Sequence, residues 1–132
     1  MKKELERNLV ERWQSWFNLN GDVRHTLMSL GFQCSDGWFD ILWQLWADLE
    51  SLVADLEKEN GVRFEVVRVK TKFGTLHFYV SPHTDPIEER IAEAQKESSR
   101  TCEVCDQPGI QRETGGGVQA VCDEHAHSPE EQ

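Results

Sequence analysis

Apolar residues recur at helical spacing in two stretches of the chain. In the first stretch they stand four, four and three residues apart, at Leu5, Leu9, Trp13 and Trp16. In the second they alternate between steps of four and three, at Trp38, Leu42, Leu45, Leu49, Leu52 and Leu56. Because an α-helix has about 3.6 residues per turn, each pattern places its apolar side chains on one face. We predict two amphipathic helices, the second about six turns long.

The second predicted helix has a start signal and a stop signal. A side-chain oxygen of Ser35 or Asp36 can cap its N-terminus, and Asn60 followed by Gly61 ends it. A shorter helix is predicted before it, within 22–30.

A third helix is predicted from its capping residues. Asp85 serves as the N-cap, Pro86 occupies the first helical position and Glu88 completes a capping box. Its packing face consists of Ile87, Ile91 and Ala94. The helix runs to about Ser98 and leads the chain into a cysteine-rich segment.

Between the second and third helices the apolar residues alternate, which is typical of β-strands. They fall on even positions up to Val66 and on odd positions from Val67 to Phe73. A shift of one residue turns the side chains to the other face unless a β-bulge absorbs it, so we predict a bulge at Val66 and Val67. Phe73 and Gly74 form the turn of the hairpin. The second strand, 75–80, turns three apolar side chains inward, those of Leu76, Phe78 and Val80.

With that bulge in place, one face of the hairpin collects basic side chains. They belong to Arg63, Arg68, Lys70 and Lys72, with Glu65 among them. This face suits an anionic ligand or a nucleic-acid backbone. The alternative, which we favour, is a solvated outer face whose lysines protect a sheet edge from pairing with another chain.

The second stripe of the long helix contains Trp43 and Trp46. Tryptophan is enriched at the energetic centres of protein interfaces, so the pair can form a partner-docking patch. The alternative is a shared core with Trp13, Trp16 and Phe17 of the first helix. We expect the core.

The net charge of the chain limits the classes of partner that it is expected to bind. Lys and Arg number 14 against 24 Asp and Glu, which gives a formal net charge of −10 at pH 7. Such a surface repels nucleic-acid phosphates and anionic membranes, and it suits a basic protein partner. The alternative, which we favour, is that many soluble bacterial proteins are simply acidic. The first residues are charged throughout, and no run approaches the roughly 20 apolar residues that span a bilayer. We therefore expect a cytoplasmic protein that does not associate with membranes.

Three of the four cysteines and one histidine follow a metal-ligand spacing, Cys102-x2-Cys105-x16-Cys122-x2-His125. Zn²⁺ prefers four tetrahedral ligands from Cys thiolates and His nitrogens, and two tight turns can each offer a pair. Pro108 and Gly109, with glycines at 115–117, suit a short hairpin between the two turns. In the cytoplasm such cysteine pairs are more often metal sites than disulfides. We predict a structural Zn²⁺, because four protein ligands leave no position open for catalysis.

Three further residues bear on this site. His127 is a spare candidate ligand. Asp106 follows the second cysteine at a position where zinc knuckles often carry Gly, and Asp tolerates a positive φ better than most residues. Cys34 stands apart from the cluster, and we expect a buried thiol rather than a reactive one.

Three blocks of the chain together resemble a group of small, mostly uncharacterised proteins of bacterial and phage genomes. The blocks are SDGWFDILWQL (35–45), VRVKTKFGTLHFYV (67–80) and TCEVCDQPG…VCDEHA (101–126). They are similar to a Gly-Asp-Gly-Trp helix start, a Lys-x-Lys-Phe-Gly-x-Leu hairpin and a Cys-x-x-Cys…Cys-Asp-x-His end. The chain departs from these motifs at Ser35 and Asp106, and neither departure removes a predicted ligand. The resemblance implies a bacterial or phage setting and zinc at the same four residues, and it implies no activity.

Together these patterns predict an α+β fold in which helices pack on a β-hairpin and a zinc-ribbon or treble-clef-like knuckle closes the chain. We divide the chain into a helical and hairpin domain (1–98), a zinc-binding module (99–127) and a flexible tail (128–132).

No catalytic motif accompanies this fold. The sequence contains no glycine-rich phosphate loop, nucleophile elbow or His-Glu-x-x-His, so we expect no enzymatic activity. The expected function is binding to another protein, as a phage or bacterial inhibitor or immunity-type protein directed at a basic nucleic-acid-processing target. The alternative is a nucleic-acid-associated regulator that uses the basic hairpin face and the zinc knuckle.

Overall fold

The computed structural model describes residues 1–17, 32–114 and 117–126. These ranges contain three α-helices and two antiparallel hairpins, in the order α1 (Lys3–Arg12), α2 (Phe39–Asn60), β1 (Glu65–Lys72), β2 (Thr75–Ser81), α3 (Asp85–Ser98), β3 (Ile110–Thr114) and β4 (Gly117–Val121). The expected mixture of helices and strands is confirmed. The short helix predicted within 22–30, the candidate ligand His127 and the tail 128–132 lie outside the described residues. No helix in the described ranges is long and apolar enough to cross a membrane.

An aromatic cluster joins α1 to α2. The ring of Trp46 is fully buried, with its centroid 5.5 Å from that of Trp13 and 5.8 Å from that of Phe17. Trp43 packs edge-on against Trp13 at 4.9 Å but keeps 37% of its surface exposed. The expected shared core is therefore confirmed for Trp46, whereas Trp43 lies at its edge and is partly exposed. Trp46 has no free surface for a partner, so the alternative of a patch made by both tryptophans is wrong for this residue.

The start of α2 differs from the predicted cap, whereas its end does not. A 3₁₀ turn over Asp36–Trp38 precedes the helix, so α2 begins at Phe39, and neither Ser35 nor Asp36 caps it with a side-chain hydrogen bond. The carboxylate of Asp36 instead accepts the backbone N–H of Lys2 at 2.7 Å. Gly61 ends α2 in the left-handed conformation at a φ of 65°, as its lack of a Cβ allows.

The third helix packs on α2 and β2, as its apolar stripe predicts. Its capping box is wrong, because Thr84 rather than Asp85 precedes the helix and no side-chain hydrogen bond caps it. At its other end the buried hydroxyl of Ser98 accepts the N–H of Leu76 at 2.8 Å. This hydrogen bond fixes the end of α3, and with it the start of the cysteine-rich segment, to the first hairpin.

The first hairpin contains the predicted bulge. The pairing of β1 with β2 shifts between Val66 and Arg68. The inward side chains on both sides of the bulge are buried, those of Val66, Val69, Leu76, Phe78 and Val80. Phe73 departs from the expected inward alternation: it is 72% exposed, because the chain reverses there. Phe73 and Gly74 both have positive φ, 54° and 77°, which is the geometry of a two-residue type I′ turn.

The outer edge of β1 is paired as well. The N–H of Gln33 donates to the carbonyl of Val69 at 2.9 Å, and the N–H of Thr71 donates to the carbonyl of Gln33 at 3.0 Å. Gln33 therefore lies along the outer edge of the hairpin. This arrangement brings the residues that follow Gln33 next to the cysteine-rich end of the chain.

Candidate metal centre

Three thiols and one imidazole meet near the end of the described chain. The potential ligand atoms of the four residues all lie within 4.8 Å of one another, in Cys102, Cys105, Cys122 and His125. The Sγ atoms of Cys105 and Cys122 are 3.6 Å apart, and His125 Nδ1 lies 3.6 Å from the Sγ of Cys102 and 3.2 Å from that of Cys122.

These separations fit the coordination shell of one metal ion. With Zn–S and Zn–N bonds of about 2.3 and 2.05 Å, a tetrahedral zinc ion holds two sulfurs ~3.8 Å apart and a sulfur and a nitrogen ~3.6 Å apart. Two of the three separations given above match these values, and the pair of His125 with Cys122 is shorter by a few tenths of an ångström. The predicted residues thus form a Cys₃His cluster that can hold a metal ion.

The cysteines are not linked by disulfide bonds. All four are free thiols. The distance of 3.6 Å between the sulfurs of Cys105 and Cys122 is far longer than a disulfide bond of about 2.05 Å. The thiols therefore remain available as ligands, as metal binding requires.

Backbone N–H groups point at the most buried of these sulfurs. Burial raises the pKa of the Cys102 thiol, but N–H groups of Cys122, Cys105 and Val104 lower it, and the resulting pKa lies below the ordinary value. At Cys105 the N–H of Gln107 lowers the pKa, while desolvation and the thiols of Cys102 and Cys122 raise it to about 11. Thiols this close disfavour one another's ionisation, and a bound cation removes that conflict.

Two tight turns deliver the ligands in pairs. In the first turn the N–H of Asp106 donates to the carbonyl of Cys102 at 3.0 Å, and Asp106 takes the predicted positive φ, 64°. The second pair is brought together by a 3₁₀ turn at Asp123–His125, in which the N–H of His125 donates to the carbonyl of Cys122 at 3.1 Å. The hairpin of β3 and β4 joins the two turns, as the glycines between the cysteine pairs predict.

Glu103, a residue that we did not single out in the sequence, ties the first turn to the rest of the protein. Only 2% of its surface is exposed. Its carboxylate accepts the N–H of Ser35 at 3.0 Å and lies 3.4 Å from the hydroxyl of Thr71. Its backbone carbonyl accepts the N–H of Gly37 at 2.6 Å, and its own N–H donates to the carbonyl of Ala120 at 2.8 Å. Its one sequence signal is a carboxylate between two metal-ligand cysteines.

The contact with Glu103 explains why Gly and Trp occur in the block that opens with Ser35. A Cβ on Gly37 would lie 2.5 Å from the carbonyl group of Glu103 and closer still to the carbonyl oxygen of Cys102, so only Gly fits. The indole N–H of Trp38 donates to the carbonyl of Thr101 at 3.1 Å. These contacts cross the boundary that we placed between 98 and 99, and the division into two domains stays a prediction.

The structure brings together three of the four basic residues predicted to form an anionic-ligand face. Arg68, Lys70 and Lys72 stand opposite Tyr79, His77 and Thr75 on the outer face of the hairpin. Arg63 does not join them, because its guanidinium donates to the carbonyls of Ser15 and Phe17 at 3.1 and 3.0 Å. It lies before β1, where the strand alternation does not apply.

Two further titratable groups near these sites have shifted pKa values, Cys34 and His77. Cys34 is buried, and burial followed by the charge of Glu103 raises the pKa of its thiol to about 12. Its burial confirms the expected buried thiol. On the hairpin face, burial and the nearby charges of Lys72 and Lys70 lower the pKa of His77.

Comparison of the chain with models of protein families, with curated proteins and with solved structures gave no match. The resemblance carried by the three sequence blocks therefore stays a prediction. What can be inferred about function rests on the geometry and charge of the chain itself.

Proposed function

We propose that Cys102, Cys105, Cys122 and His125 hold one Zn²⁺ as a structural ion. The fit of their separations to a tetrahedral shell supports this assignment. Four protein ligands complete that shell, whereas catalytic zinc keeps a position open for water or substrate. The two turns and the hairpin between them then form a zinc-ribbon or treble-clef-like knuckle.

Metal content and coordination test this proposal directly. Protein purified without chelator is expected to contain one zinc ion per chain, and its cobalt form should show the absorption of a tetrahedral thiolate site. Cys122→Ser should lose the metal, whereas the control Cys34→Ser should keep it. An octahedral cobalt spectrum, or full zinc content in Cys122→Ser, would contradict the proposal.

We infer that the protein works by binding a basic protein, as an inhibitor or immunity-type protein, and not by catalysis. The observation that carries this inference is the excess of negative charge, −10, on a chain in which three of the described arginines pair with carboxylates. Arg12 pairs with Glu50, Arg90 with Asp48 and Arg112 with Asp123, each at 2.6 Å. Each pair neutralises one positive and one negative charge, so the excess of carboxylates remains and steers the protein towards a positively charged surface.

Capture from a bacterial lysate, with and without nuclease, tests the inference. We expect one defined basic protein that survives nuclease treatment. The purified pair should bind in calorimetry with an affinity that falls as salt rises. Recovery of nucleic acid alone would contradict a protein partner, and capture of a neutral or acidic protein would contradict the role of charge.

A second function has one observation in its favour. The outer face of the first hairpin places Lys70 and Lys72 beside two exposed aromatic rings, those of Phe73 and Tyr79. Cations interleaved with aromatic side chains are the means by which proteins bind single-stranded nucleic acid. If this function is correct, Lys70→Glu with Lys72→Glu should abolish salt-dependent oligonucleotide binding, whereas Lys96→Glu on α3 should not. Wild-type protein without measurable binding would exclude it.

A further inference from the structure

A groove runs between α1 and the first turns of α2. It has a volume of about 590 Å³ and is lined by Asn8, Glu11, Arg12, Phe39, Asp40 and Trp43. Two of its lining residues are aromatic and two are acidic. A concave surface of this composition differs from the all-apolar grooves that accept an amphipathic helix.

Trp43 supplies the aromatic wall, and its position is fixed. The other four tryptophans of the chain are buried, whereas Trp43 keeps 37% of its surface exposed. Its ring packs edge-on against Trp13, with centroids 4.9 Å apart, and leans on Phe39 at 5.9 Å. Because the ring is already held, Trp43 loses little side-chain entropy when a partner binds to it.

The charge of the groove is negative and uncompensated by the described residues. The carboxylates of Glu11 and Asp40 are exposed, and neither makes a hydrogen bond or an ion pair with any residue that the structure describes. Arg12, the cation among the lining residues, is already engaged. Its guanidinium pairs with Glu50 at 2.6 Å and lies over the Trp13 ring at 4.9 Å.

We propose that this groove is the docking site for the basic partner and takes an arginine side chain from it. A guanidinium is planar and weakly hydrated, so it can stack on Trp43 while its N–H groups donate to Glu11 and Asp40. The guanidinium of Arg12, which lies over the Trp13 ring at 4.9 Å and pairs with Glu50 at 2.6 Å, shows the same combination at the edge of the groove. This inference rests on the proposed function, since it names the surface by which a basic protein is bound.

The first test uses a defined probe on the full-length zinc-loaded protein. The peptide acetyl-Gly-Arg-Gly-amide is titrated while the amide and indole N–H signals are followed by NMR. We expect saturable shifts confined to Trp43, Phe39 and their neighbours on α1. The isosteric peptide with citrulline in place of arginine should cause none, because it lacks the charge. Shifts spread over the whole acidic surface would overturn the proposal.

Substitutions at the groove give the second test. Trp43→Ala, and separately the double variant Glu11→Gln with Asp40→Asn, should each weaken peptide binding roughly tenfold, the size expected for a lost cation–π or charge contact. The matched control is Asp55→Asn with Glu59→Gln, which removes the same charge from exposed positions of α2 outside the groove. It should bind like wild type. An equal loss of peptide binding in the control variant would show that the effect depends on net charge alone, and it would contradict the groove as the binding site.

The groove variants also distinguish a failure of this inference from a failure of the proposed function. If a basic protein is captured and the groove variants bind it as tightly as wild type does, the groove is wrong while the function stands. If no basic protein is captured by any form, the function fails, and with it the partner assigned to the groove. Unchanged zinc content and unfolding midpoints show that the variants are folded.

Discussion

The two hairpins of this protein are held in place by different means. The first, β1–β2, buries Val66, Val69, Leu76, Phe78 and Val80 within the core formed with the helices. Among the described side chains of the second, β3–β4, only Ala120 and Val121 are buried. A two-stranded hairpin is marginal in water unless it packs on other elements, so the second needs another source of stability. The four residues of the Cys₃His cluster lie at the base of β3–β4, where the proposed metal ion would supply the stability that burial does not.

Removing the metal should produce the largest difference between the hairpins. Structural zinc sites contribute roughly 10 kcal/mol or more to the folding of small domains, and β3–β4 has little else. After chelation, hydrogen–deuterium exchange should show loss of protection in 102–125, while β1–β2 and α2 stay protected. Restored protection after zinc is added back is the control. Equal loss across the chain would show that the hairpins unfold as one unit, and the comparison would fail.

The opposite effect is expected from the core of the first hairpin. The ring of Phe78 is buried, with its centroid 5.4 Å from that of Trp46. Phe78→Ala should lower the free energy of unfolding of the zinc-loaded protein by about 3–5 kcal/mol, because it leaves a cavity. Urea denaturation measures this change. The neighbour Tyr79, which lies on the outer face, provides the control, and Tyr79→Ala should cost at most about 1 kcal/mol. Zinc content should stay at one ion per chain in both, and its loss in Phe78→Ala would contradict the comparison.

One position tests how tightly the two regions are joined. Gly37 lies against the backbone of Cys102 and Glu103, and an added Cβ forces that backbone to move. We expect Gly37→Ala to destabilise the protein by about 1–3 kcal/mol and to weaken zinc binding as well, since the first ligand turn shifts. Calorimetric zinc titration and urea denaturation measure the two effects.

The control for this substitution has an unfavourable φ but free space. At Gly61 no atom lies within 4 Å of an added Cβ, so Gly61→Ala strains only the backbone. It should cost about 1 kcal/mol and leave zinc affinity unchanged. If Gly37→Ala also spares zinc affinity, the contact between the two regions does not position the metal ligands.

The sequence predicted the elements whose signals are local. The 3.6-residue periodicity of the apolar stripe marks α2, and the change from even to odd apolar positions marks the bulge before Arg68. The ligand spacing predicted a cluster because the geometry of zinc limits which residues can share an ion. In each case the signal lies within one continuous stretch of the sequence.

Features decided by distant residues were missed or wrong. The start of α2 was misplaced because Asp36 and Gly37 are engaged by Lys2 and Glu103, which lie far away in sequence. Arg63 left the basic face because the carbonyls of Ser15 and Phe17 bind it. A buried carboxylate such as that of Glu103 cannot be recognised before its partners are placed, because the same residue in a solvated loop looks identical.

The smallest predicted effects come from two turns that contain a residue with positive φ. One turn joins the strands of the first hairpin, and the other precedes the second hairpin. Phe73 and Asp106 are the non-glycine residues with positive φ among the described residues, at 54° and 64°. Asn-Gly is the preferred pair for a type I′ turn, so Phe73→Asn should stabilise the protein by about 0.5–1 kcal/mol in urea denaturation without changing zinc affinity. Asp106→Gly relieves a similar strain beside the proposed ligand Cys105, in a turn that we expect to form only when the metal binds. Its gain should therefore appear as roughly twofold tighter zinc binding, measured by competition with a chromophoric chelator. If Asp106→Gly instead stabilises the metal-free protein as Phe73→Asn does, the second hairpin is folded before zinc arrives, and burial rather than metal holds both.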